Sequence, residues 1–308
     1  MTTQQLRRTS EPIHLSEKPL VSIVIPSFNQ GRFIQDTIDS ILNQSYRPLE
    51  IIVVDAQSTD NTLSILDKYS NVDNVSWVSE PDRGHADGVN KGFLRARGEI
   101  VAWLNSDDVY FSRDVIDTIV NTFQQKPTMD VIYGDVAIIS SENFLLRLFL
   151  LPSYNLKRIQ RKNLISQSAA FFRKHVVQNE KLDGNQIGLD YEYWLRLGRL
   201  KYCFHHVRKV LAGDRHYPER LSVSKSDLIS SQIRDVKTKY GLSEFTTLLM
   251  HPLDRLAQAI CRFEGLLLLA GMSLCYRAEQ TRFAFPLQID SLHALLWRQL
   301  VKQVGKPM

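Results

Sequence analysis

Residues 20–42 read LVSIVIPSFNQGRFIQDTIDSIL, and this stretch sets the fold. Residues 20–26 are apolar and rich in β-branched side chains, and they end on proline, as a strand buried on both faces requires. Residues 27–31 supply a turn. Phe33, Ile34, Ile38, Ile41 and Leu42 then recur at helical spacing to about Gln44. The unit repeats downstream. Residues 49–54 (LEIIVV) predict a second buried strand ending on Asp55, and Thr59 or Asp60 stands ready to cap a helix carrying Leu63, Ile65 and Leu66. Residues 75–78 predict a third strand and 86–97 a helix. A fourth strand, 99–104, runs into Asn105-Ser106-Asp107-Asp108. Strand and helix alternating this way call for right-handed crossovers, and so for an α/β fold whose mostly parallel sheet carries helices on both faces.

Beyond Tyr110 the order loosens. Residues 114–125 predict an amphipathic helix, 131–139 and 169–172 strands, 191–200 a helix and 202–210 a strand. After Tyr240-Gly241 only helical patterns remain. Three units are therefore expected: a polar N-terminal arm over 1–19, an α/β domain over 20–240 and a helical C-terminal extension over 241–308.

With 308 residues, 44% hydrophobic and 23% charged, the chain is too apolar for disorder, too poor in glycine and proline for collagen, and shows no repeat. Its cysteines, Cys203, Cys261 and Cys275, are odd in number and widely spaced. They read as reduced thiols of a cytoplasmic protein, and neither as a disulfide framework nor as a zinc site. A net charge of +5 is too small to point to nucleic acid. Residues 1–19 contain no apolar signal core, and the longest apolar run, 263–276, falls short of the roughly 20 residues needed to cross a bilayer.

In an open α/β sheet, ligands bind at the carboxyl ends of the parallel strands. Here those ends carry Asn29, Asp55, Glu80, Asp82, Arg83, Asp107 and Asp108, so carboxylates from three strands converge on one crevice with little cationic sequence beside them. Each alone could be a turn or cap residue. Together they call for a divalent cation with oxygen ligands, Mn²⁺ or Mg²⁺, and such a cation usually holds a phosphate-bearing substrate. The phosphate loops of Walker ATPases and nicotinamide dehydrogenases are absent, since strand one runs into PSFNQGR.

The segments VSIVIPSFNQGRFIQDTIDSILNQSY, LEIIVVDAQSTDNT, EPDRGHADGVNKGF and EIVAWLNSDDVY resemble, in order and spacing, those of the inverting family 2 glycosyltransferases of the GT-A fold. A weaker match continues through Tyr133-Gly134-Asp135, Gln167-Ser168 and residues 189–196. The resemblance implies transfer of a sugar from a nucleotide-diphosphate donor, most simply a UDP-sugar, to a saccharide or lipid-linked acceptor. It places Pro26 and Asn29 beside the nucleotide, Asp55 and Ser58 at the base, and Asp82, Arg83 and Asp87 along the uridine and diphosphate. Asn90-Lys91-Gly92 matches the family's N-K-G, with Lys91 as a solvated helix residue the alternative. Asn105-Ser106-Asp107 stands where the family has D-x-D. The first carboxylate is missing, which leaves Asp107 as the metal ligand and Asp108 as a supporting or sugar-contacting acid. Asp190 matches the general base, although the family's preceding Glu is Leu189 here, and Glu192 is the competing candidate. His216, in Asp214-Arg215-His216, resembles an R-x-H segment that closes over the diphosphate and is carried over to the metal side. His205 and His206, inside a strand, read as one buried and one exposed residue sooner than as a metal pair.

On the acceptor side, residues 143–175 hold Arg147, Lys157, Arg158, Arg161, Lys162, Arg173 and Lys174 with no acid, interleaved with leucines. That mixture suits anionic lipid, with peripheral contact at the inner membrane face. It suits equally a loop packing its leucines on the core. Residues 263–276 fit a core helix, a homodimer contact or a membrane interface. The rival functions are a nucleotidyltransferase, which should carry a glycine-rich basic loop after strand one, and an inactive sugar-nucleotide-binding scaffold, which Asn105 and Leu189 leave open.

Overall fold

The structure, a computed structural model, describes residues 12–183 and 188–242. In chain order its elements are β1 (Val21–Ser27), α1 (Ile34–Leu42), β2 (Leu49–Asp55), α2 (Thr62–Asp67), β3 (Val75–Ser79), α3 (His85–Arg95), β4 (Ile100–Trp103), β5 (Val109–Tyr110) and α4 (Val115–Gln125). There follow β6 (Val131–Ile139), β7 (Leu145–Phe149), α5 (Leu156–Arg161), β8 (Ala170–Arg173), α6 (Lys174–Asn179), α7 (Leu189–Arg199), β9 (Phe204–Arg215), α8 (Leu221–Ser224) and α9 (Ser226–Lys239).

Alternation along each strand decides which helices cover which face. On β1 and β2, Val21, Ile23, Ile25, Ile51 and Val53 point to one side and pack with Ile34, Ile38 and Ile41 of α1 and Ile116 and Ile119 of α4. Val24, Ile52 and Val54 point to the other, against Val89 and Phe93 of α3 and Trp194 of α7. Both faces are apolar, which explains the unbroken hydrophobic strands. Gly92 sits where α3 crosses β1: a Cβ there would stand 2.1 Å from Val24 Cγ1. Only glycine permits that approach.

The nine strands run in the order β3-β2-β1-β4-β8-β6-β9-β5, with β7 also paired to β6. β3, β2, β1 and β4 are parallel, as the sequence implies. Beyond β4 the sheet is mixed. β8 runs antiparallel to both β4 and β6, β9 runs parallel to β6, and β5 and β7 are antiparallel additions. β5 is two residues long and β7 leans on a basic, leucine-rich stretch, so neither shows a strand pattern in sequence. α9 also escapes the pattern, because serines and lysines interrupt its apolar face and only Val236 is fully covered.

The chain order reverses between β2 and β4 around β1, and a crevice opens at this switch point. β6 and β9 end on the same side, and β8 starts there, so residues from 26 to 220 meet at one edge. A ladder of stacked rings supports it from beneath. Trp103 lies 5.5 Å from Phe172, which lies 5.8 Å from Trp194, both stacked.

The described part of the N-terminal arm is tied down: Ile13 N donates to Pro127 O (3.0 Å) and Ser16 N to Glu99 Oε2 (3.0 Å). Among the described residues no helix is long and apolar enough to cross a membrane. Most of the expected C-terminal extension, with residues 263–276, Cys261, Cys275 and any dimer contact there, lies outside the described residues.

Candidate active site

A cleft of about 880 Å³ opens at this edge, lined by Pro26 at the end of β1 and Phe28 just after it, Asp82 before α3 and His85 at its start, residues 105–108 after β4, and Asp190 at the head of α7. Asn163, Gln167, Asp214, Tyr217 and Arg220 complete its walls.

The acidic loop is the most constrained part. Asp108 is fully buried, and its Oδ1 accepts from Arg215 N at 3.0 Å. Burial pushes its carboxyl well above the usual range, and Asp214 and Asp107 add to this against the pull of Arg220. Asp107 Oδ2 accepts from the Tyr217 hydroxyl at 2.9 Å. Asn105 Oδ1 is 3.0 Å from His85 Nε2. Arg215, wholly buried, donates through Nε to Asp107 O (2.8 Å) and through its terminal nitrogens to Asn143 Oδ1 (2.6 Å) and Asp36 Oδ2 (3.2 Å). Its guanidinium covers the Phe33 ring at 4.7 Å. The loop after β4, the end of β9 and α1 are thus pinned by one side chain.

Arg220 stands among the carboxylates. Its Nη1 pairs with Asp214 and donates to Arg215 O (2.6 Å), its Nη2 is 3.4 Å from Asp108 Oδ1, and its Nε is 3.8 Å from Asp107 Oδ2. Burial works against its charge, yet Asp108, Asp214 and Asp107 more than compensate and raise its pKa. The expectation that little positive charge lies near the acids is corrected here. The cations arrive from residues 215 and 220, more than a hundred positions after the loop they serve.

Asp190 lines the cleft from α7. Asn163 Nδ2 donates to its Oδ2 at 2.8 Å. Burial raises its pKa, and the hydrogen bond from Asn163 only partly offsets this. Glu192, on the same helix, is turned away: its side chain is 2% exposed and bound by Tyr240 Oη (2.6 Å), Lys239 Nζ (3.3 Å) and Arg196. It ties α7 to the end of α9 and does not line the cleft.

The other sequence candidates divide. Pro26, Asp82, Asn105, Ser106, Asp107 and Asp108 line the cleft. Asn29, Asp55 and Ser58 form a lock behind it. Asp55 accepts from Ser58 N (2.9 Å) and Ser79 Oγ (2.7 Å), Ser58 Oγ accepts from Asn29 N (2.7 Å), and Asn29 Oδ1 accepts from Thr59 N (2.8 Å). The structure does not bring Lys91, Arg83 or Asp87 into the lining. Lys91 Nζ donates to Pro81 O (2.6 Å) and pairs with Glu80 and Asp87, so it stands half-buried outside the cleft lining. Arg83 reaches Asp87 from an exposed position. His216 is exposed and outside the cleft, its backbone N–H held by Ile139 O. His206 is buried on Asp135 Oδ1 at 2.9 Å, and His205 is half-buried.

The basic stretch is also partly internal. Arg173 is buried, donating to Met129 O (2.7 Å) and Phe123 O (3.1 Å), while Leu145, Leu148 and Leu151 pack into the core. Lys157 and Lys162 remain exposed. Arg220 and Asn163 carry no sequence signal of their own, whereas Arg215 stands in Asp214-Arg215-His216 and Gln167 in Gln167-Ser168.

The donors around Arg220 are carboxylate and amide oxygens already assembled about a cation, and this chemistry fits Mn²⁺ or Mg²⁺. Among the described residues no cluster of three His, Cys, Asp or Glu stands poised to hold a metal without rearrangement.

The sequence model described as glycosyl transferase family 2 matches residues 22–178. The chain is 30% identical over 257 residues to a hyaluronan synthase of Pasteurella multocida, spanning 77% of this chain and 26% of that protein. The chain thus corresponds to about a quarter of that relative's length. Among solved structures, S. aureus TarS 1-349 in complex with UDP-GlcNAc is similar with a TM-score of 0.55 at 18% identity, over 70% of this chain and 64% of that one. The mannosyltransferase PcManGT from Pyrobaculum calidifontis, in complex with GDP-Man and Mn2+, gives a TM-score of 0.56 at 19% identity, over 98% and 92%. Sequence and fold agree: the chain is a family 2 glycosyltransferase with a GT-A-type fold.

Proposed function

We propose that this glycosyltransferase moves a sugar from a nucleotide-diphosphate donor to an acceptor hydroxyl by a single displacement that inverts the anomeric carbon. The observation that carries the reading is the placement of two acids in one cleft: Asp107 on the loop after β4, and Asp190 on α7 with a raised pKa. Asp107, with the Asn105 amide oxygen, would hold a divalent cation, whose chemistry is to neutralise the departing diphosphate. Asp190 takes the acceptor proton, and Asn163 aims its carboxylate. Pro26, Asp82 and the lock of Asn29, Asp55 and Ser58 shape the donor end.

The likeness to a hyaluronan synthase supports a polysaccharide or glycolipid product, and the neighbours bound to UDP-GlcNAc and GDP-Man support a nucleotide-sugar donor. We assign residues 20–240 as the catalytic unit and place the reaction on the cytoplasmic side, where nucleotide sugars would reach the cleft.

The test is a thermal-shift series with UDP, GDP and dTDP, with and without Mn²⁺, followed by NMR of the product's anomeric configuration. Stabilisation by one nucleotide and an inverted product are expected. Absence of nucleotide binding, or retention of configuration, overturns the reading.

A further inference from the structure

Arg220 holds an unusual position for a side chain beside a prospective metal ligand. It lies within ion-pair distance of Asp107, Asp108 and Asp214, and is itself 16% exposed. It is held by ion pairs to three carboxylates and by one backbone carbonyl, Arg215 O, within a segment whose Pro218, Glu219, Leu221 and Ser222 are exposed. Arg215, by contrast, is locked among backbone carbonyls and the Phe33 ring. A guanidinium and a divalent ion cannot share the same carboxylates without strong mutual repulsion.

We propose that Arg220 is a built-in counter-cation of the acidic cluster, which a divalent metal must displace from Asp107 and Asp108, so that metal and nucleotide load together and neither binds tightly alone. This rests on the reading of Asp107 as a metal ligand. The free carboxylates would otherwise repel one another in a buried loop, and Arg220 satisfies them at rest. The metal gains little by replacing a charge already present. A donor diphosphate tips the balance by giving the expelled guanidinium an anion to face, and reciprocity then makes metal and nucleotide each tighten the other.

The full chain and its Arg220→Met variant are titrated calorimetrically with MnCl₂ alone and again with UDP or GDP present. With Mn²⁺ alone, Arg220→Met should bind about tenfold more tightly than wild type, as loss of one like charge implies. Nucleotide should tighten Mn²⁺ binding strongly in wild type and much less in the variant. Mn²⁺ binding that is unchanged or weaker in Arg220→Met overturns the proposal.

A second measurement needs no destabilised variant. The Nε–Hε NMR resonance of Arg220, assigned with Arg220→Lys, should move on adding MgCl₂ and nucleotide to wild type. A resonance that stays in place overturns the proposal as well. Failure of every nucleotide to bind would strike the transferase reading and the coupling together, while the metal-only arm decides by itself whether Arg220 competes with Mn²⁺ for the carboxylates.

Discussion

Asn163 Nδ2 and Asp190 Oδ2 meet at 2.8 Å, joining the segment after α5 to the first turn of α7 and fixing the direction in which the carboxylate faces the cleft. Burial raises the Asp190 pKa, with a smaller push from Asp214, and the amide donor opposes that rise by favouring the charged form.

A pH profile follows from this pair. The base must be ionised, so turnover should fall as pH drops through a value above that of an exposed aspartate. Asn163→Leu removes the stabilising donor and should move this acid limb further up in pH. Measuring kcat/KM against pH checks both statements; coincident limbs in wild type and variant would count against Asp190 as the base.

Asp190→Asn and Glu192→Gln should separate chemistry from scaffolding. The first is expected to lower kcat by about 10²–10⁴-fold with little change in melting temperature. The second leaves Tyr240, Lys239 and Arg196 with a neutral partner, and should cost about 1–3 kcal/mol of stability without moving the pH profile. Turnover together with denaturant unfolding distinguishes them.

Asp107→Ala should remove the stabilisation given by Mn²⁺ in a thermal-shift assay and reduce turnover by about 10²–10³-fold. Asn105→Asp, which supplies the second carboxylate of a D-x-D, should tighten Mn²⁺ binding. Activity that survives chelation with EDTA, together with an unaltered metal response in Asp107→Ala, would exclude this loop as the metal site.

Arg215→Met should be among the most damaging single changes away from the base. It leaves Asp107 O and Ser141 O without a donor and takes one of two donors from Asp36 Oδ2, at about 1–3 kcal/mol for each buried acceptor left unpaired. Urea denaturation gives the number, and hydrogen exchange at Asp107 and Asp108 should rise.

Trp194→Ala removes one end of the ring ladder beneath the cleft, and should cost about 3–5 kcal/mol by leaving a cavity against Phe172 and Trp103. Chemical denaturation monitored by circular dichroism measures it.

Much of this was legible in sequence because β1 to β4 are buried on both faces and write themselves as continuous apolar runs, with polar residues confined to their ends. The loop bearing Asn105, Asp107 and Asp108, and Asp190 at the start of α7, could be located from motif order alone. What escaped was whatever depends on contacts distant in the chain. Arg215 and Arg220 look like ordinary basic residues until β9 lies beside β6. Lys91 looks like a surface lysine until Pro81 and Glu80 fold over it. His216 follows a resemblance, but its side chain is exposed and outside the lining, while Asp214 and Tyr217 on either side of it face the cleft. The mixed half of the sheet was hidden for the same reason, since β5 is too short to signal itself and exists by pairing with β9.

That pairing sets an order on the ribosome. Asp108 emerges 107 residues before Arg215, whose backbone N–H it accepts from. At roughly 5–20 residues per second the acidic loop waits about 5–20 s for its partners. During that interval β5 has no strand to join, while β8, at residues 170–173, is already available to cover the β4 edge of the parallel unit. A nascent chain stalled before β9 would leave the β6 edge that β9 later fills unpaired and open to another strand.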